Sequence, residues 1–221
     1  MNFLSRIKRL LIKIPSKSKH TKNVFDSIYK DNLWKDGESY SGPGSSLEQT
    51  EVIRKQIPIT LKEYNVSKIL DAPCGDFHWM KLTNLDNVHY VGGDIVGSLI
   101  DKLNKKYRTQ NREFICLDII KDKLPETDLM LCRDCLVHLP YESVFAFIQN
   151  LKSSRIKFLL TTTFPGRVNK NIKVGNWRPI NLEASPFNFP KPSELINEGC
   201  TQGNGAYSDK SLALWRVQDL P

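Results

Sequence analysis

Short apolar runs alternating with stretches of helical spacing dominate the middle of the chain. Residues 66–71, 88–92, 113–117, 128–132 and 157–163 are β-rich, and 211–217 is a sixth run of the same kind. Residues 96–107 and 140–152 carry apolar positions at three- and four-residue intervals, as do 24–34 and 47–64 ahead of the first run. Short apolar runs suit strands buried on both faces. Their alternation with helices predicts an α/β domain with a parallel sheet built from crossovers.

Two segments break the pattern. Residues 37–46 read GESYSGPGSS, whose glycines, serines and proline exclude regular structure and mark a connector or a lid. Residues 164–192 hold five prolines among asparagines and basic residues, and read as an ordered insertion suited to contacting an acceptor. Before the body, Phe3, Ile7, Leu10, Leu11 and Ile14 fall on one helical face and Arg6, Arg9 and Lys13 on another. Pro15 reads as the stop of that helix and 15–23 as a solvated linker. The division expected is therefore a tail over 1–23 and one domain over 24–221.

Charge sharpens this division. The 221 residues carry a formal charge of +8, of which residues 1–22 hold seven bases and no acid. The body is nearly neutral, which argues against a nucleic-acid partner bound by a basic face. Three readings of residues 3–14 stand side by side: a helix lying on an anionic membrane surface, a helix packed on its own domain or a partner, and an organelle-targeting segment. Removing residues 1–22 is expected to leave the fold intact. No run is long enough to span a bilayer. Five cysteines, an odd number, point to a reducing compartment and a cytoplasmic, at most membrane-peripheral, protein.

Candidate chemistry sits at the carboxyl ends of the runs. The first ends in Leu70-Asp71-Ala72-Pro73-Cys74-Gly75-Asp76, with a helix expected to start near Asp76 or Phe77, and Trp79 just beyond. Open α/β sheets bind ligands at such a turn. Gly75 is its only glycine and no Gly-Lys-Ser/Thr follows, so phosphate cradling is unsupported. The second run ends in Asp94-Ile95, where an acid about 20 residues beyond the turn is placed to accept ribose hydroxyls. The third ends in Asp118-Ile119, an acid for an exocyclic amine beside an apolar face for a base. The fourth ends in Arg133-Asp134-Cys135-Leu136-Val137-His138. Any one such acid is explained equally by capping of the next turn. Four in register are not.

These residues resemble the class I S-adenosylmethionine-dependent methyltransferases. LDAPCGD is similar to that family's glycine-containing first motif, with Ala72-Pro73-Cys74 in place of the usual turn. GGDIV resembles the ribose motif, CLDI the adenine motif, and DLMLCRDCLVHLP the motif after strand four. The resemblance covers residues 50–163. It implies a Rossmann-like, doubly wound sheet of about seven strands, mostly parallel with an antiparallel last strand. It also implies S-adenosyl-L-methionine as cofactor and S-adenosyl-L-homocysteine as product. The cofactor set expected is Asp71, Pro73, Cys74, Gly75, Asp76, Trp79, Asp94, Ile95, Asp118, Ile119 and Arg133, with Trp34, Ser39 and Ser45 from the segment that folds over the cofactor in related enzymes.

For catalysis, His138 is the candidate general base and Asp134 the group that orients the acceptor hydroxyl or the cofactor amine. Arg133 is the candidate partner of a carboxylate. His138 has a plain alternative as a hydrogen-bonding group across a helix start, and Trp79 has one as core. Cys132, Cys135 and His138 have metal-like spacing but lack the fourth ligand of a structural site, so no metal is expected. The acceptor expected is a hydroxyl on a sugar, glycan or other small molecule, met by Asn169, Asn171, Trp177, Arg178 and Asn181. The rivals are an RNA or protein methyltransferase anchored by the basic tail, and a non-catalytic cofactor-binding module.

Overall fold

The computed structural model describes residues 14–34 and 37–221, with the backbone alone for 14–19. Seven strands form one sheet: β1 (Lys68–Asp71), β2 (His89–Asp94), β3 (Arg112–Cys116), β4 (Leu129–Cys132), β5 (Phe158–Thr163), β6 (Glu194–Asn197) and β7 (Ser211–Arg216). Their order is β3-β2-β1-β4-β5-β7-β6, and β7 runs antiparallel to both its neighbours. Among the described residues the α-helices are α1 (Ile14–Lys30), α2 (Glu51–Glu63), α3 (Gly97–Tyr107) and α4 (Tyr141–Lys152). The chain reverses direction across the sheet between β1 and β4. That is the switch point at which such sheets bind ligands beyond their carboxyl ends.

Alternation along the strands sorts the core into two layers. Ile69, Leu129, Leu131, Leu160, Leu212 and Leu214 pack on one face against Ile53, Ile57 and Leu61 of α2 and Leu99, Ile100 and Leu103 of α3. Leu70, Met130, Leu159, Ala213 and Trp215 face the other way, against Val144, Phe147, Ile148 and Leu151 of α4. On that second face the segment between β5 and β6 contributes Ile180, Leu182, Phe187 and Phe189 without forming a helix. It is pinned by Trp215, whose Nε1 donates to the Pro190 carbonyl at 2.8 Å.

Three expectations need correction. Residues 15–23 are not a linker, because Ile14–Lys30 is one helix. Proline in a first helical turn removes no hydrogen bond that helix needs, so Pro15 fits within it; the stop expected of Pro15 for a helix over 3–14 lies outside the described residues. No α-helix follows β1; the chain turns and makes only a 3-10 turn at Met80–Leu82. β6 was not anticipated, since four residues with one buried side chain leave almost no apolar pattern. The helix read over residues 3–14 and its membrane role lie outside the described residues, apart from the backbone of Ile14. Among the described residues no helix is long and apolar enough to cross a membrane.

The helical reading of 14–30 changes the expected effect of truncation. Lys22 Nζ donates to the Ile95 carbonyl at 3.2 Å and pairs with Asp26 at 2.8 Å. Removal of residues 1–22 cuts α1 in half and is expected to lower the melting temperature. Removal of 1–13 keeps all of these contacts and is expected to lower it less. Equal melting curves for the two truncations would show that the first half of α1 contributes nothing.

Candidate functional site

The turn after β1 is built from backbone constraints. Gly75 has φ of +53°, a left-handed value, and a Cβ there would lie 2.1 Å from Ser41 Oγ. Cys74 N donates to the Gly93 carbonyl at 2.8 Å, tying the turn to the end of β2. Asp76 is the anchor of the 37–46 segment: its carboxylate accepts from Ser39 Oγ at 3.0 Å and from Tyr40 N at 2.8 Å. That segment is thereby clasped over the turn.

A cavity of about 580 Å³ opens at the carboxyl ends of β1–β4. Ligand pockets commonly fall in the range of about 300–1,000 Å³. Asp71, Pro73, Cys74, Gly75, Asp76, Trp79, Asp94, Ile95, Asp118, Ile119, Arg133, Asp134 and His138 all line it, as do Trp34 and Ser45. Ser39 does not. Its hydroxyl is spent on Asp76, and it acts on the loop rather than on the cavity wall.

The carboxylates differ in how they are held. Asp71 is buried, and burial lifts it to about 7 although Tyr90 donates to it at 2.6 Å. Asp94 is buried and lifted to about 6, against the pull of Val96 N at 3.0 Å and Gly75 N at 3.2 Å. Asp118 Oδ1 caps Ile120 N at 3.0 Å, so its capping alternative is realised even as the residue faces the cavity.

Arg133 and Asp134 belong to a group of four charges in which Arg133, Glu198 and Lys210 are buried and Asp134 is a quarter exposed. Glu198 Oε2 accepts from Arg133 Nη2 at 2.6 Å and Nε at 3.2 Å, and lies 3.5 Å from Lys210 Nζ. Lys210 Nζ is 2.6 Å from Asp134 Oδ2, and Arg133 Nη1 is 3.3 Å from the same oxygen. Burial works against ionised Asp134, but Lys210 and Arg133 outweigh it and hold the group at about 2. Arg133 Nη2 also donates to the Gly44 carbonyl at 2.8 Å, fixing the 37–46 segment from its far side. The Arg133 guanidinium, expected to pair with a ligand carboxylate, is engaged here by Glu198, Asp134 and Gly44.

His138 is held by its ring. Nδ1 lies 3.0 Å from the Asn176 carbonyl oxygen, which can only accept, so Nδ1 carries the hydrogen. Trp34 stacks on the ring at 4.3 Å and 26°. Burial pulls the imidazole below its ordinary value, outweighing the Asn176 bond. The ring is neutral at pH 7, with the Nε2 lone pair available.

The residues expected to meet an acceptor mostly turn inward. Arg178 is buried, donating to the Leu136 and Leu139 carbonyls at 2.8 and 2.9 Å. Asn169 and Asn181 bond the backbone of their own loop, and Asn171 accepts from Tyr141 N at 2.8 Å. Only Trp177 of that set lines the cavity. Sequence reasoning missed Lys210 and Glu198, which stand 76 and 64 positions beyond Asp134 with no motif around them. It also missed Phe25, Tyr29, Phe164 and Tyr207 on the cavity wall.

No family model and no curated protein matches the chain. Solved structures do. Burkholderia thailandensis 1,6-didemethyltoxoflavin-N1-methyltransferase aligns over 91% of this chain and 89% of its own, at 15% identity and a TM-score of 0.61. Magnesium protoporphyrin IX methyltransferase from Synechocystis PCC 6803 aligns over 90% and 96%, at 15% identity and a TM-score of 0.57. The chain has the class I methyltransferase fold. Human N-acetylserotonin methyltransferase shares it over 87% of this chain and 66% of its own, at 13% identity and a TM-score of 0.51. The antiparallel β7 and the acids at the ends of β1 and β2 sit in this class I framework, and the clasped 37–46 segment covers its ligand end.

Proposed function

We propose that the chain is an S-adenosylmethionine-dependent methyltransferase acting on a hydroxyl of a small-molecule acceptor. The observation that carries this is the convergence of Asp71, Asp94 and Asp118, from three successive strand ends, on one cavity at the switch point of the sheet. Three structural neighbours carry methyltransferase names, and the Synechocystis and human enzymes were solved with S-adenosylmethionine.

The residues present fit such a cofactor. Asp94 offers carboxylate oxygens for vicinal hydroxyls, and Ile95 and Ile119 offer apolar faces for a base. The cofactor, when bound, supplies a methyl group on a positively charged sulfur, which keeps the electron pair of the broken bond. The chain's own task is to orient the acceptor and take its proton. Neutral His138, fixed through Nδ1 and by Trp34, presents Nε2 as the proton acceptor. Asp134 stays ionised throughout, held at one oxygen by Lys210 and Arg133, and orients the acceptor hydroxyl through its other oxygen. The sugar reading drew on Asn169, Asn171, Arg178 and Asn181, and their inward bonds remove that support.

Calorimetric titration with S-adenosylhomocysteine tests the reading. Micromolar binding is expected, weakened about tenfold or more in Asp94→Ala by loss of charge-assisted hydrogen bonds. Asp94→Asn keeps the shape of the turn and should lose nearly as much. Because ionised Asp94 is the better acceptor, affinity should fall as pH drops through about 6. An affinity untouched by either substitution overturns the ribose assignment.

A further inference from the structure

The far side of the cavity is made of rings. Phe164, Trp177 and Tyr207 meet edge to face, with Trp177 and Tyr207 4.9 Å apart at 71° and Phe164 6.0 Å from Trp177. Phe164 is buried, but Trp177 is 42% exposed and Leu33, on the rim of the same cavity, is 66% exposed. Large apolar side chains left open around a cavity mark a surface that a ligand covers. The polar side chains of the same loop serve its own backbone, as described above. This wall therefore offers mainly ring faces and edges, with the Trp177 indole N–H and the Tyr207 hydroxyl as the polar groups of its rings. A flat aromatic ring would stack on one of these faces and meet the other edge-on.

His138 points the same way. A base held below the ordinary histidine range matches a phenol, whose proton leaves near pH 10, far better than an alcohol. We propose that the acceptor is a planar aromatic compound bearing a phenol-type hydroxyl, seated on the Trp177–Tyr207 corner with its oxygen at His138 Nε2. This rests on the methyl-transfer reading of the same cavity and names its substrate class.

The test uses the full chain loaded with S-adenosylhomocysteine and titrated with 2-naphthol or methyl β-glucopyranoside. 2-Naphthol is expected to bind and the glucoside not to. Trp177→Ala should weaken naphthol binding about three- to tenfold, the size of one aromatic pair. Phe145→Ala, an equally exposed ring outside the cavity, should change nothing. Glucoside binding in place of naphthol overturns the phenol assignment, as does naphthol binding indifferent to Trp177. Homocysteine-product binding without naphthol binding overturns the acceptor proposal alone. Failure of the chain to bind S-adenosylhomocysteine overturns the reading beneath it.

Discussion

Glu198→Ala is expected to destabilise the protein by about 3–5 kcal/mol, the usual cost of breaking a buried ion pair from one side. Glu198 is 2% exposed and holds Arg133 by two hydrogen bonds, with Lys210 3.5 Å away. Without it, two buried cations share the single charge of Asp134. Arg133 then has less reason to keep its place against Gly44, so the 37–46 segment should loosen with it. Urea unfolding measures the first effect and proteolysis within 37–46 the second. Replacing the pair together, Arg133→Met with Glu198→Leu, should recover most of the stability because no uncompensated charge remains. A single variant as stable as the parent would mean that water reaches and screens the cluster.

His138→Ala is expected to lower kcat by about 10²–10⁴-fold, the range for loss of a positioned general base. In the parent, kcat/KM should rise with pH and level off, because the neutral ring is the active form. Burial depresses the imidazole, so the midpoint of that limb should lie below the ordinary histidine value. The variant should lose the limb. Its affinity for S-adenosylhomocysteine should stay within a few-fold of the parent, since no cofactor role is assigned to the ring. A variant that turns over at the parental rate would return His138 to its structural reading, a hydrogen bond to Asn176 under Trp34.

What could be read without coordinates follows from how local each signal is. The central strands are apolar end to end because both faces are covered, and Leu129–Cys132 is buried at every position. The strand-end acids follow each run directly, so Asp71, Asp94 and Asp118 were readable from adjacency alone. Lys210 and Glu198 had no such adjacency; their meaning exists only once β4, β6 and β7 lie side by side. Arg178 and Asn181 misled for a related reason. Composition shows polar residues in a loop but not whether they face a ligand or, like Arg178, the carbonyls of a neighbouring turn. Residues 15–23 misled because charged residues at helical positions look like a solvated linker until one face finds a docking site.

The place of α1 also sets an order on assembly. Val24 sits against Gly175, where a Cβ would approach its Cγ1 to 2.8 Å. Val24 and Gly175 stand about 150 positions apart, so this part of the helix's seat exists only once residue 175 is in place. Strands β1–β5 can pair, and Lys22 and Tyr29 can meet Ile95 and Lys102, before Gly175 closes over Val24 and Ile28. Contacts of such sequence separation slow folding, and apolar surface left waiting invites association with other chains. A chain ending before residue 175 should accordingly leave Val24 and Ile28 of α1 open on that side, even with its central sheet already formed.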